Sequence, residues 1–433
     1  MPLSAYLLLA AVALFVVLFG ARRAVLSVPT MFFLGTALFL YPGALLREAV
    51  LWTVRPDTEM LAFFAIAVSL LGVVLGYRAA SSLVGKPAGG EPPVAQVSTT
   101  TLWALLVLSV FIKTFMDPDT LVGHLITHVD RPSTVAGQYL SILIAIPTAL
   151  GCLAPWLWRN RRHRTAGSAF AIVALVLVGL FGLSRTPIFY ILGTIALSML
   201  WRADALWRSL PRRFVGACAL ALVAPLLVYF AALVKGTNFV LDYAASGELD
   251  LAKAAEYAAE SQFRLATSDA YGNFLFVLDS YPEKYPYLPG HSLAVLGTAL
   301  VPRAVFEAKP WSASYVLTGQ MLGEGTFEQG GTILATSLVG ELWMNGGALA
   351  LGLGSLLVGA FGGVLGSSVV RGRFASPREP FYMGLVMFVL IPRGDLLATL
   401  FRGTIYIAVA CVLLWLLTSP FESPKARSAS RCS

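Results

Sequence analysis

The chain has 433 residues, of which 57% are apolar and only 12% charged, against roughly 25% charged in an ordinary soluble domain. With a mean hydropathy of +0.76, this excludes a disordered chain, a collagen-like chain and a soluble enzyme with one or two cores. The apolar residues fall in long runs, so the expectation is a polytopic membrane protein. The net charge of +8 does not point to nucleic acid, because the basic residues sit in short loops between apolar runs.

The first run, 1–21, has no basic residue ahead of it and is followed by Arg22 and Arg23. A secretory signal carries its positive charge first. The run therefore reads as an uncleaved first span with its N-terminus outside. Further runs of spanning length follow at 27–45, 59–79, 99–116, 136–158, 166–184, 187–201, 214–234, 346–366, 381–397 and 402–419. The stretches 291–302 and 332–345 are apolar but broken, and read as re-entrant or interfacial. The predicted fold is all-α: a transmembrane helix bundle of about 11 spans with a large, partly helical outer loop region.

Charge tests this layout. With alternating crossings, the inside holds 18 basic and four acidic residues, and the outside holds 13 basic and 19 acidic. The split is +14 inside and −6 outside, a strong positive-inside bias. Four regions follow: an eight-span membrane region at 1–234, a large periplasmic loop region at 235–331, a C-terminal membrane region at 332–419, and a disordered cytoplasmic tail at 420–433. The loop region contains a helix-prone charged piece around 242–260 and then the Pro- and Tyr-rich piece SYPEKYPYLPGH. Work on a large polar substrate belongs on this face.

Several chemistries lack their residues. There is no phosphate loop of the G-x-x-x-x-G-K-[ST] type and no H-E-x-x-H. His124 and His128 alone do not make a metal site. Cys152, Cys218 and Cys411 lie in apolar runs and Cys432 in the tail, without disulfide or zinc spacing. Gly352, Gly354, Gly359, Gly363 and Gly366 lie in an apolar run, where they suit close helix packing. No metal and no cofactor is expected.

The informative feature is arginine on the outer face. Arg185 sits in a tight turn between two runs, Arg303 in the large loop, Arg393 in Ile391-Pro392-Arg393-Gly394-Asp395, and Arg402 at the start of the last run; Arg264 and Lys309 add to the set. An arginine near the bilayer is costly unless it has a partner or a task. Two readings stand. Each arginine snorkels to headgroups or pairs with a neighbour such as Asp395 or Glu307, or together they form an anion site suited to phosphate oxygens. Aromatic residues crowd the same loops: Tyr271, Tyr281, Tyr285, Tyr287, Trp311, Tyr315 and Trp343. They read either as an interfacial belt or as faces for sugar rings, with Trp311 and Tyr315 the candidate contacts. Glu341 and Asn345 read either as a helix-packing hydrogen bond or, for Glu341, as a catalytic carboxylate.

At these residues the chain resembles the oligosaccharide repeat-unit polymerases, the Wzy-type O-antigen polymerase family. Ser184-Arg185-Thr186 is similar to that family's Ser-Arg-Thr/Gly turn. Pro302-Arg303 through Lys309-Pro310 is similar to its Pro-Arg…Lys-Pro loop segment. Ser337 to Gly347, SLVGELWMNGG, is similar to its Gly-Glu-aromatic…Asn-x-Gly lead-in to a late span. Phe306 stands where Trp is common, and Glu307-Ala308 where Pro-Asp is usual.

The resemblance implies a glycosyltransferase of the bacterial inner membrane, acting on undecaprenyl-diphosphate-linked oligosaccharides in O-antigen or exopolysaccharide synthesis. It also implies membrane lipids, a chain-length regulator and a flippase as partners, and no nucleic acid. Arg185, Arg303, Glu341 and Asp395 are its expected catalytic residues; Lys309, Arg393, Arg402, Arg264, Trp311 and Tyr315 are its expected binding residues. An O-antigen ligase and a non-enzymatic flippase or carrier are the alternatives.

Overall fold

The computed structural model describes residues 27–40, 55–83, 100, 103, 104, 107, 108, 145–158, 164–181, 185–202, 270–301, 305–323, 334–370 and 379–418. Among these the regular structure is entirely helical. The expected spans 1–21 and 214–234, most of 99–116, the piece 242–260 and the tail lie outside the described residues.

The helices α1 Val28–Phe39, α2 Pro56–Leu83, α3 Ala145–Leu157, α4 Arg164–Phe181, α5 Arg185–Arg202, α6 His291–Gly297, α7 Ala313–Leu322, α8 Leu338–Val370, α9 Glu379–Leu390 and α10 Arg402–Thr418 lie among the described residues. A π-helical turn, Leu396–Phe401, runs directly into α10. Residues 270–280 are also helical. Local signals set several starts. Ser27 and Ser312 cap α1 and α7 by accepting the backbone N–H groups of Thr30 and Tyr315.

Among the described residues two helices, Asp57–Leu83 and Leu338–Gly366, are long and apolar enough to cross a membrane. At 1.5 Å per residue the 28 residues of α2 cover about 42 Å, more than the ~30 Å of a hydrocarbon core. Five shorter apolar helices accompany them.

Two boundaries differ from the sequence expectation. The run 381–397 ends as a helix at Leu390. Pro392 lacks the N–H that would continue the ladder, and the chain turns through 391–394 before the π-helical turn begins. The last helical stretch thus starts at 396 rather than 402. The run 346–366 begins earlier, at Leu338, with a break at Gly346 (φ 161°, ψ 37°) and Gly347 (φ 62°, ψ −146°). The broken stretch 332–345 is an extended piece followed by two helical turns stacked on that break. Glu379, expected in an inside loop, is buried in the first turn of α9, where a carboxylate complements the helix dipole.

The α2–α8 pair shows how the bundle is built. Ser69 and Ser355 share a hydrogen bond of 2.9 Å across the seam. A Cβ added at Gly76 would fall on the Leu356 carbonyl oxygen, and one at Gly359 on that of Val73. Such backbone approach requires glycine. Gly363 meets Tyr77 and Ala80 of α2 in the same way, and Gly354 meets Leu342 across the break. The opposite faces carry Met60, Phe64, Leu71 and Leu75 on α2, and Leu349, Leu353, Leu357 and Val364 on α8, all exposed. Each set recurs at helical spacing and forms one stripe. The seam is lined by small residues and one serine pair, while the outside is large and apolar.

Residue pairings give the helix directions. Ser69 meets Ser355, Val73 meets Gly359 and Ala80 meets Gly363, so α2 and α8 run parallel. Gly35 meets Val389 and Phe39 meets Arg393, so α1 and α9 run parallel. Gly366 meets Phe381 and Gly362 meets Phe388, so α8 and α9 are antiparallel. Gly167 meets Ala154 and Gly151 meets Ala174, so α3 and α4 are antiparallel. Helix α9 is buried along most of its length at the centre, packed against α1, α3, α5, α8 and α10.

Candidate functional site

The chain segments that carry most of the sequence-predicted site converge at one end of the bundle. Residues 270–323 are fastened to the start of α8. Leu288 N–H donates to the Met344 carbonyl at 2.8 Å, and Asn273 Nδ2 donates to the Ala335 carbonyl at 3.0 Å. Trp343 Nε1 donates to the Tyr281 carbonyl at 3.4 Å, and Ser314 and Thr336 share a hydrogen bond at 3.2 Å. Gly347 has positive φ, and a Cβ there would strike the Tyr287 hydroxyl at 2.7 Å. The break in α8 is therefore also a packing requirement.

A buried polar network sits at this junction. Glu341 is fully buried on α8. Ser292 Oγ of α6 donates to its Oε1 at 2.5 Å, and the Leu396 N–H donates to its Oε2 at 2.6 Å. Asn345, one turn on, donates through Nδ2 to Ser292 Oγ and to the Glu341 carbonyl, both at 2.7 Å. Its Oδ1 accepts the Ser292 N–H at 3.1 Å. Asp395 is buried next to Leu396 and interacts electrostatically with the Glu341 carboxyl. The network thus joins α6, α8 and the turn that bears Arg393. Both Glu341 oxygens are engaged, so this carboxylate holds three elements together.

The cations are placed around that turn. Arg393 lies in the turn itself, with its guanidinium 5.5 Å from the centre of the Phe39 ring. Arg402 opens α10 and is exposed. Gly403, next to it, packs against Tyr190 of α5, little more than one turn from Arg185. The starts of α5 and α10 therefore lie side by side, with Arg185 and Arg402 at neighbouring helix ends. Lys309 closes the connection between α6 and α7: its Nζ donates to the Ala299 and Val301 carbonyls at 3.1 and 2.8 Å. Arg303 and Arg264 lie outside the described residues, as does Ser184.

The aromatic residues divide. Trp311 and Tyr315 stack at 3.9 Å between ring centres and 9° between planes, and Trp311 is exposed. The Trp311 carbonyl is 2.7 Å from His291 Nε2, which ties the pair to α6. Tyr271, Tyr281 and Trp343 are core residues rather than an open platform or a belt. Their rings are needed where the outer segment packs on α8, and residue type alone does not reveal that.

Sequence reasoning missed two features. Ser292 carries no signal of its own, being one serine in an apolar stretch. The other is a clasp between α2 and the end of the 270–280 helix. Arg55 donates through Nε to Asp279 Oδ1 at 2.7 Å and through Nη1 to Glu283 at 3.1 Å, and Thr58 Oγ1 donates to Asp279 Oδ1 at 3.0 Å. Burial pushes the Asp279 carboxyl up, but the hydrogen bonds from Arg55 and Thr58 outweigh it and hold the group below its ordinary value. A shallow cavity lined by Arg55, Asp279, Ser280, Glu283 and Lys284 opens here. It contains none of the sequence-predicted site residues.

No protein-family model, no curated protein and no solved structure matches the chain.

Proposed function

We propose that this chain is a polytopic inner-membrane glycosyltransferase of the Wzy type, which joins undecaprenyl-diphosphate-linked oligosaccharide units on the outer face. The membrane reading is supported by the α2–α8 pair, whose large apolar stripes face outward from a seam of small residues joined by one serine pair. The alternating topology is supported by the helix directions. The charge layout requires α2 parallel to α8, α1 parallel to α9, and α8 antiparallel to α9, and the pairings have those senses. On this layout the N-terminus faces the periplasm and the C-terminus the cytoplasm.

One observation carries the catalytic reading. The Arg393 turn, the Arg402 helix start and the Trp311 loop are fixed to the same end of the bundle through the Glu341–Ser292–Asn345 network. In the proposed reaction an acceptor hydroxyl oxygen bonds to the anomeric carbon of the donor chain. The bond from that carbon to the diphosphate oxygen breaks, and undecaprenyl diphosphate leaves with the electron pair. Negative charge grows on the leaving diphosphate, and fixed guanidinium groups stabilise it without reorganising. Arg185, Arg303, Arg393 and Arg402 take that role. Asp395 or Glu307 takes the hydroxyl proton. Glu341, with both oxygens engaged, is a positioning residue. Trp311 and Tyr315 offer an aromatic face to a sugar ring, and Lys309 shapes the loop between.

The test is chain extension by purified protein in nanodiscs, given lipid-diphosphate-linked units. A ladder of longer lipid-linked products is expected. In cells, loss of the protein is expected to leave surface glycan one unit long. Polymer retained on the lipid carrier would instead identify a ligase, and units left facing the cytoplasm a flippase.

A further inference from the structure

Residues 291–301 and 305–306 carry an exposed apolar face. On the inward side Ser292 is buried and bonded to Glu341 and Asn345, beside the buried Val295. On the outward side Leu293 is 70% exposed, Leu300 59%, Val301 36%, Val305 70% and Phe306 37%. A loop bathed in water gains nothing by exposing large apolar side chains. Scattered single apolar residues need no explanation, but five within fourteen positions form a patch.

Position supplies the occupant. Ser292 is bonded to Asn345, one turn ahead of Leu349, where the exposed apolar stripe of α8 begins. The patch is therefore continuous in height with the upper end of that stripe. Lys309 closes this stretch by donating to the carbonyls of Ala299 and Val301. Apolar side chains exposed at the height of an apolar membrane stripe are the arrangement of an interfacial anchor on a phospholipid surface.

We infer that residues 291–301 and 305–306 bed Leu293, Leu300, Val301, Val305 and Phe306 into the outer leaflet. They thereby act as a monotopic anchor that holds the Lys309–Trp311 loop at the headgroup level. The inference rests on the membrane reading of α8 and adds a lipid-contacting element outside the spans. It gives the exposed apolar face a purpose. The buried network grips the segment from inside while the bilayer grips it from outside, so the loop is held at the depth of a lipid-linked diphosphate.

The test uses the full chain in phospholipid nanodiscs, with the native cysteines replaced. An environment-sensitive fluorophore is attached to Leu293→Cys, Val305→Cys, Lys284→Cys or Leu353→Cys in separate preparations. Lipids brominated near the headgroup or deep in the acyl chain serve as quenchers. Strong quenching of 293 and 305 by shallow bromines is expected, with deep quenching of 353 and none of 284, which is exposed in the same outer region. Quenching of 353 with 293 and 305 no more affected than 284 would overturn this inference alone, and would leave the patch to a protein partner. No quenching at 353, 293 or 305 would overturn it together with the membrane reading. All four positions are exposed, so the labels do not disturb packing. As a second measurement, the double variant Leu293→Ser/Leu300→Ser is expected to reduce quenching at 305 while leaving 353 unchanged.

Discussion

Replacing Glu341 separates a residue that holds the site from one that performs its chemistry. Glu341→Ala deletes the acceptor of two buried donors, the Ser292 hydroxyl and the Leu396 N–H. An unsatisfied buried donor costs about 1–3 kcal/mol, so the pair costs roughly 2–6 kcal/mol, before any cavity is counted. Glu341→Gln keeps one acceptor oxygen and turns an NH2 toward the other donor. It forfeits one bond, at about 1–3 kcal/mol. Ser292→Ala removes the other half of the short contact and leaves Asn345 Nδ2 with the Glu341 carbonyl as its acceptor. It is expected to resemble the Gln variant. Because these residues share one network, the double variant Ser292→Ala/Glu341→Gln should be less damaging than the sum of its parts, with a coupling of about 0.5–3 kcal/mol.

The assay is thermal unfolding in nanodiscs followed by tryptophan emission, paired with chain extension well below the melting temperature. The order wild type, Gln, Ala is expected for melting, with extension retained by Gln at the low temperature. A Gln variant that melts like wild type but makes no product would refute the holding role and make the carboxylate a reacting group. An Ala variant that melts like wild type would show that the network contributes no stability.

Other outcomes are expected on the same reasoning. Arg303→Ala and Arg185→Ala should each abolish chain extension at normal protein level, and Arg→Lys should rescue only in part, since a point charge cannot reproduce a two-pronged phosphate contact; long-chain product from either Ala variant on a gel would remove that arginine from the reaction. Extension should persist in excess EDTA, because fixed guanidinium charge serves the leaving group; loss on chelation, restored by magnesium or manganese, would show a metal-dependent mechanism. The Asp279 carboxyl is held below its ordinary value, so its contribution to stability is full at neutral pH and fades as pH falls below about 4. Asp279→Asn should remove that acid-side decline from a melting-versus-pH profile, and an unchanged profile would show that the clasp with Arg55 is incidental. High salt should also weaken the wild-type clasp, since Arg55 is exposed.

Helix positions were legible where composition changes over many residues. The apolar runs place α2, α4, α5, α8 and α10 to within a few residues, or eight at the start of α8, because burial acts on the whole element. Ends were legible only where a local device acts. The Pro392 stop of α9 is written in the chain, but Arg393-Gly394-Asp395 is a short interruption between apolar residues, and a hydropathy reading runs across it to Leu397. The start of α8 was hidden by the Gly346–Gly347 pair, which reads as a helix boundary. In the fold it is a break that admits the Tyr287 hydroxyl while the helix continues on either side. The glycine series 352–366 was legible as suited to close packing by its small size alone; in the fold Gly352, Gly359 and Gly363 meet α2, whereas Gly354 meets Leu342 and Gly366 meets Phe381 of α9.

The site was legible by residue type and not by connection. Glu341, Asp395, Arg393 and Arg402 stand out in sequence because charge in apolar surroundings is costly, and that cost is a property of one position. What makes Glu341 a holding group is a serine 49 positions earlier and a backbone N–H 55 positions later. No periodicity links such residues, and neither partner is unusual by itself. The same limit explains the aromatic residues. Tyr281 and Trp343 are bonded to each other across 62 positions and filled by core contacts, whereas Trp311 stays exposed. A cost borne by a single position can be read from the chain, while the partner that relieves it is fixed by the fold. The arginines at helix ends follow this rule too: Arg185, Arg393 and Arg402 stand out by their place at the ends of apolar runs, and their shared end of the bundle is a consequence of α5 and α10 both packing on α9.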